Sequence, residues 1–278
     1  MFQEWRNLGL PLSTTSNEAC KLYDATLTQY IGWYDEASVG GLEASAAKLL
    51  EADPNFVMGH VMSIGLDLMG TGHSPRLDLE FQKSTKQLLA TAVNAEISDR
   101  EKRHVTAVKL CADGHMDRAT NIWEDILVDH PLDMLALKFA HDSYFYLGFQ
   151  PQMRDSIARV MPHWTTDMPH YGFLMGMYSF GLCETNMFAQ AEKVARKGLE
   201  INRSDAWSTH SMAHVLEMQG RWKEGLTFLS STVQDWEPCG MLACHNFWHW
   251  AVYHIEKVGQ LADMVRFKFM QQCFKHER

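Results

Sequence analysis

The chain has 278 residues, of which 46% are hydrophobic and 21% are charged, and its formal net charge is −9. This composition is typical of an ordered protein and excludes a disordered chain. The acidic balance and the absence of any lysine or arginine run argue against binding to nucleic acid, which depends mainly on basic patches. The length admits one or two globular domains or a single elongated repeat domain.

The cysteines and the lengths of the apolar segments indicate the cellular compartment. The six cysteines are scattered and form no CxxC pair, which favours reduced thiols in a cytosolic protein over a disulfide or zinc-ribbon framework. The N-terminus lacks the apolar stretch of a secretory signal, and the longest apolar runs are too short to cross a membrane. We therefore expect a cytoplasmic protein without membrane association.

Helical periodicity dominates the chain, and short breaks with glycine or proline separate the helical segments. Residues 42–54 are predicted to form the second helix of a degenerate first repeat. Residues 101–131 form the clearest helix pair, in which we expect Trp123 to be buried between repeats. A second copy lies at residues 213–229, and a third, weaker copy lies at residues 178–195. The pattern predicts an all-α, tetratricopeptide-like right-handed helical solenoid of about five or six helix pairs.

Three segments of the chain also align on one another, namely residues 133–142, 205–214 and 240–249. Their starts lie 72 and then 35 residues apart, which fits helix-turn-helix repeats of about 34 residues. Residues four apart share a helix face, so each segment projects two polar side chains from one stripe. These pairs, five and nine residues after each start, are Lys138 and Asp142, His210 and His214, and His245 and His249.

Several stretches of the sequence resemble one known family. They are residues 11–21 (PLSTTSNEACK), 56–60 (FVMGH), 133–139 (DMLALKF), 144–148 (YFYLG) and 241–246 (MLACHN). These stretches closely resemble the tetratricopeptide repeat protein 38 family, a cytosolic family, and the similarity extends over residues 5–257. The resemblance implies an all-helical superhelix whose first helices face a concave groove, and it implies no established catalytic residues.

The similarity stops near Lys257. Residues 258–278 depart from the family's pattern, which predicts a truncated or alternative C-terminus. We therefore divide the chain into a repeat solenoid over residues 1–257 and a divergent tail over residues 258–278. The tail is expected to dock only in part, which would leave an uncapped apolar end and allow self-association.

The predicted groove stripe contains the candidate binding residues. They are Lys138, Asp142, Trp207, His210, His214, Glu217, His245 and His249. Neighbouring first helices pack about 8–10 Å apart, so the two histidine pairs on adjacent repeats can converge on one point.

Three interpretations of these residues stay open. The histidines can be half-buried packing residues, or they can form a pocket for an anionic peptide or metabolite, because imidazoles titrate near neutrality and Lys138 would add a fixed charge. They can also hold zinc or iron, with Asp142, Glu184 or Glu217 as a carboxylate ligand or outer partner. The zincin motif HExxH is absent, since Ser211 follows His210.

The function predicted from these residues is a non-catalytic repeat scaffold. It is expected to bind a protein segment or a small anionic ligand in its groove, without a cofactor or metal, and to bind neither nucleic acid nor membranes. The alternative is a histidine-lined metal-dependent or small-molecule enzyme that uses the same groove, with zinc or iron as the metal.

Overall fold

A computed structural model describes residues 2–70, 73 and 75–257 of the chain. Within these residues all regular structure is helical, with fourteen α-helices, one short 3-10 helix and no strand. The all-α fold class is therefore confirmed. The expectations for residues 258–278, including the partly docked tail, lie outside the described residues. None of the described helices combines the length and the apolar character that crossing a membrane requires.

The chain divides into two compact units. The first comprises the chain up to Gln29 together with Glu36–Trp164, and the second comprises Tyr30–Asp35 and the chain from Thr165 onward. The division into a repeat solenoid over residues 1–257 and a tail over residues 258–278 stays a prediction.

From the third helix to the ninth, each helix of the first unit packs against the next helix in the chain. The fourth helix also packs against the sixth and the eighth. The helices are α1 (Phe2–Asn7), α2 (Asn17–Gly32, whose last residues belong to the second unit), α3 (Leu42–Ala52), α4 (Val57–Met69), α5 (Leu79–Asn94), α6 (Asp99–Ala112), α7 (Met116–Asp129), α8 (Met134–Leu147) and α9 (Gln150–Val160). The 3-10 helix Met161–His163 follows α9.

The predicted helix pair at residues 101–131 corresponds to α6 and α7. A capping box starts α6, in which Ser98 and Glu101 each accept a hydrogen bond from the other's backbone N–H. Gly114 turns the chain with a φ of 89°, a left-handed conformation that favours glycine. Trp123 is 1% exposed, and its ring centroid lies 5.5 Å from that of Phe139 on α8. The predicted burial of Trp123 between neighbouring helices is confirmed.

The second unit contains the remaining helices, and the one at its centre contacts the other four. They are α10 (Tyr171–Glu184), α11 (Phe188–Ile201), α12 (Ala206–Met218), α13 (Trp222–Trp236) and α14 (Gly240–Glu256). The central helix is α12, and apolar side chains of α12, α13 and α14 form one core that includes Leu216, Leu229, Trp236 and Phe247. The predicted copies at residues 178–195 and 213–229 correspond to α10–α11 and α12–α13.

Candidate functional site

Four histidines of the second unit form one cluster. His210 and His214 lie one turn apart on α12, and His245 and His249 lie one turn apart on α14. The Nε2 atoms are 2.8 Å apart in the α12 pair and 3.1 Å apart in the α14 pair. One ring nitrogen from each histidine lies within 4.8 Å of the others. The predicted convergence of the two pairs is therefore observed.

The N-terminal cap of α12 positions the first pair. The buried carboxylate of Asp205 accepts hydrogen bonds from the backbone of Trp207 at 3.2 Å and of Ser208 at 3.1 Å. Ser211 Oγ donates to the carbonyl of Gly176 at 3.3 Å, which ties α12 to α10. A Cβ at Gly176 would lie 2.5 Å from an oxygen of Asp205, so this close approach of the two helices requires glycine.

Tyr253 positions the second pair. Its buried hydroxyl donates to the backbone carbonyl of Ala213 at 2.5 Å, which links α14 to α12 one residue before His214. A Cβ at Gly225 of α13 would meet the Tyr253 ring at 2.4 Å. The absence of a side chain at Gly225 therefore makes room for the ring that holds α14 in place.

A carboxylate orients one of the histidines. His249 Nδ1 donates to Glu217 Oε2 at 2.6 Å. With its proton on Nδ1, the ring presents the lone pair of Nε2 towards His245. A carboxylate that holds the outer nitrogen of an imidazole in this way is the usual partner of a metal-binding histidine. Glu217, predicted on the same stripe as His210 and His214, is thus part of the site.

Burial makes most of these imidazoles weak bases. It lowers the pKa of His210 well below its usual range, and repulsion from the other three rings adds to the effect. Burial and repulsion from the rings of His249 and His245 lower the pKa of His214 to about 3. Desolvation and the His249 ring lower the pKa of His245 to about 4, although the charge of Glu217 acts in the opposite direction. The expectation that the imidazoles titrate near neutrality is therefore wrong for these three residues. They are uncharged at pH 7, which suits a metal ion better than an anion.

Among the described residues, His245 and Trp248 expose one edge of the cluster to solvent. His245 is exposed, and the ring of Trp248 stacks on it with centroids 5.4 Å apart and planes 14° apart. Trp248 itself is 44% exposed, whereas His210 and His249 are 4% and 0% exposed. Solvent therefore reaches the four rings at the edge formed by His245 and Trp248.

Aromatic side chains close the side of the cluster near His210. The rings of Phe180 and Trp207 lie 5.1 and 5.9 Å from the ring of His210. Trp207 Nε1 donates to the carbonyl of Ile31 at 3.2 Å, and Trp207 is 9% exposed. Trp207, predicted as a binding residue, is therefore placed as a packing residue beside the histidines.

The other two predicted binding residues form an ion pair in the first unit. Lys138 Nζ lies 2.5 Å from both carboxylate oxygens of Asp142 on α8, and the two residues are 0% and 8% exposed. Burial opposes ionisation of Asp142, but the charge of Lys138, together with His141, outweighs it and lowers the pKa of Asp142 to about 2. The pair belongs to the first unit, whereas all four histidines of the cluster belong to the second.

Two residues that shape the site, Phe180 and Tyr253, were not predicted from the sequence. The signal for Phe180 is the 72-residue gap between the first two aligned segments, which leaves room for a repeat that starts near residue 170. Helix α10 occupies that position. Glu184, considered as a carboxylate ligand, is the last residue of α10; burial raises its pKa, and it is outside the group of converging ligands.

No protein-family model matches this chain. The function therefore has to be inferred from the side chains of the site.

Proposed function

We propose that the second unit binds one divalent first-row transition-metal ion, with zinc as the first candidate. The ligands are His210, His214, His245 and His249, and Glu217 is the outer carboxylate. The observation that carries the proposal is the convergence of four ring nitrogens, one from each histidine, within 4.8 Å of one another.

The spacing of the nitrogens suits such an ion. Zinc–nitrogen bonds are about 2.0–2.1 Å long, so the nitrogens of a tetrahedral zinc site lie about 3.3–3.4 Å apart. The two pairs already stand at 2.8 and 3.1 Å. Binding would require side-chain rotations that bring all four nitrogens, now within 4.8 Å of one another, to this spacing.

The protonation states support a cation over an anion. Metal ions bind deprotonated imidazole, and burial keeps His210 and His214 in that form at neutral pH. An anionic ligand or peptide held by the imidazoles alone is less well supported, because neutral rings offer it no charge.

The fold assignment is part of the same proposal. Helix α12 packs against both α10 and α14, which are the first helices of the pairs before and after it. This arrangement supports a tetratricopeptide-like, right-handed solenoid. We also propose membership of the tetratricopeptide repeat protein 38 family and a cytoplasmic location, on the sequence features that indicate them.

The test is calorimetric titration of chelator-treated protein with zinc, in the presence of a reductant that keeps the cysteines as thiols. We expect one ion per chain. His245→Ala is the best ligand variant because the side chain is exposed and its loss leaves the core intact. Its matched control is His115→Ala, an exposed histidine of the first unit. We expect weaker binding in His245→Ala and unchanged binding in His115→Ala; no binding, or equal binding in both variants, would overturn the proposal.

A further inference from the structure

We infer that the metal-loaded cluster takes a small monovalent carboxylate as an additional ligand of the ion, on the side where His245 and Trp248 meet solvent. This inference rests on the proposed function. It assigns a ligand class to the site and a direction of approach.

The charge of the site is the first reason. Among the described residues, the converging ligand set consists of four histidines without a thiolate or a carboxylate. Neutral imidazoles leave both positive charges of a divalent ion in place. Structural zinc sites commonly include thiolates, which neutralise the ion. A positive ion in a partly desolvated site attracts an anion strongly.

The number of charges points to a monoanion. Glu217 contributes one negative charge through its hydrogen bond to His249. One further negative charge makes the sum of the charges of the ion and its partners zero, whereas a dianion such as phosphate would make it negative. The net charge of −9 on the whole chain also disfavours a more highly charged ligand. A carboxylate oxygen is a common zinc ligand, and catalytic zinc sites sometimes expand to five ligands in the transition state.

The open edge of the cluster gives the direction. His210 and His249 are 4% and 0% exposed, and Phe180 packs on His210. His245 is exposed, and Trp248 beside it is 44% exposed. A ligand from solvent therefore reaches the ion past His245 and Trp248. The same chemistry fits a free carboxylic acid or the C-terminal carboxylate of a peptide.

The experiment uses the protein loaded with Co²⁺, whose visible absorption reports the ligands bound to the ion. Sodium acetate is titrated at constant ionic strength against sodium perchlorate. We expect a saturable spectral change with acetate, a weaker one with inorganic phosphate and none with perchlorate. N-acetylated diglycine and its C-terminal amide form a second pair of probes. A response to the acid but not to the amide extends the site to peptide C-termini, whereas a response to acetate alone restricts it to free small carboxylates.

The failure of this inference differs from the failure of the proposed function. If Co²⁺ produces a histidine-ligand spectrum that acetate leaves unchanged, the ion is bound but the carboxylate site is wrong. An equal response to acetate and perchlorate overturns it as well, because that would be an effect of salt. If Co²⁺ does not bind at all, the proposed function and this inference fail together.

Discussion

The aligned positions of α8 and of α12 and α14 contain the same spacing of polar residues with opposite consequences. In α8 the two positions are Lys138 and Asp142, which neutralise each other at 2.5 Å. In α12 and α14 each pair consists of two like groups, and each histidine contacts rings from the other helix. Equivalent positions of the repeat therefore have two different roles. Where the two side chains carry opposite charges, they form a structural ion pair; where both are histidines, they can serve as metal ligands.

A histidine alone does not make a ligand site. In the first unit, buried His104 lies with its Nε2 2.9 Å from Asp133 Oδ2, and Arg100 donates to the same oxygen at 2.8 Å. Burial opposes ionisation of Asp133, but the charges of His104 and Arg100 outweigh it and lower its pKa. This cluster is closed by opposite charge, like the α8 pair. The second unit instead brings together four groups of one kind.

The largest expected effect tests the closed pair. Asp142→Ala leaves Lys138 as a buried charge without its carboxylate, which should lower the free energy of unfolding by about 3–5 kcal/mol. The double variant Lys138→Met with Asp142→Leu removes both charges and should recover most of that loss. Urea unfolding followed by circular dichroism measures both. Equal losses in the single and double variants would mean that the ion pair is not the stabilising feature of these positions.

The next prediction distinguishes the histidine cluster from the α8 ion pair by the pH dependence of the free energy of unfolding. Histidines with a lowered pKa in the folded protein take up protons on unfolding, so stability is complete above the ordinary imidazole pKa and falls below it. Between pH 7 and 5.5 the metal-free protein should lose about 1 kcal/mol for each of His210 and His214. The α8 pair should contribute nothing here, since the pKa of Asp142 is about 2.

The matched variants for this pH series are His210→Leu with His214→Leu and the Lys138–Asp142 double variant. The difference between the urea midpoints at pH 7 and 5.5 should shrink in the histidine variant and keep its wild-type size in the other. If the wild-type pH dependence of stability remains after both histidines are replaced, other titratable groups are responsible for it.

Gly225→Ala tests how α14 is held. Alanine normally stabilises a helix relative to glycine by about 0.5–1 kcal/mol. At this position the new Cβ would meet the buried Tyr253 ring at 2.4 Å, and overpacking should cost about 1–3 kcal/mol. Zinc affinity should fall too, because Tyr253 fixes α14 relative to α12. Gly220→Ala is a poor control because its φ is 67°; Ser231→Ala on the exposed part of α13 is a better one.

The most conservative substitution tests the outer carboxylate. Glu217→Gln retains the size of the side chain but removes the charge that orients His249. Loss of such a partner typically lowers metal affinity 10–100-fold, which corresponds to about 1.4–2.7 kcal/mol. Competition with a chromogenic chelator measures the change, and Glu224→Gln, a carboxylate at the start of α13, is the comparison. An unchanged affinity in Glu217→Gln would restrict Glu217 to a structural role.

Much of the local structure was predictable because it depends on neighbours in the chain. Helix periodicity and Gly114 predicted the α6–α7 pair, and the large apolar side chain at Trp123 predicted its burial. The repeat spacing placed His210, His214, His245 and His249 at equivalent positions. The prediction of their convergence then needed only the rule that first helices of successive repeats are adjacent.

The sequence by itself determined the helical class, the helix pairs of the second unit and the identity of the four converging histidines, since these depend on periodicities of a few residues and on one repeat length. Only the tertiary structure decided how deeply His210 and His249 are buried, that Glu217 pairs with His249, and that Lys138 and Asp142 pair with each other. Burial and the direction of a hydrogen bond depend on which helices meet and at what distance. That distance is set by contacts such as Gly225 against Tyr253, between residues far apart in the chain.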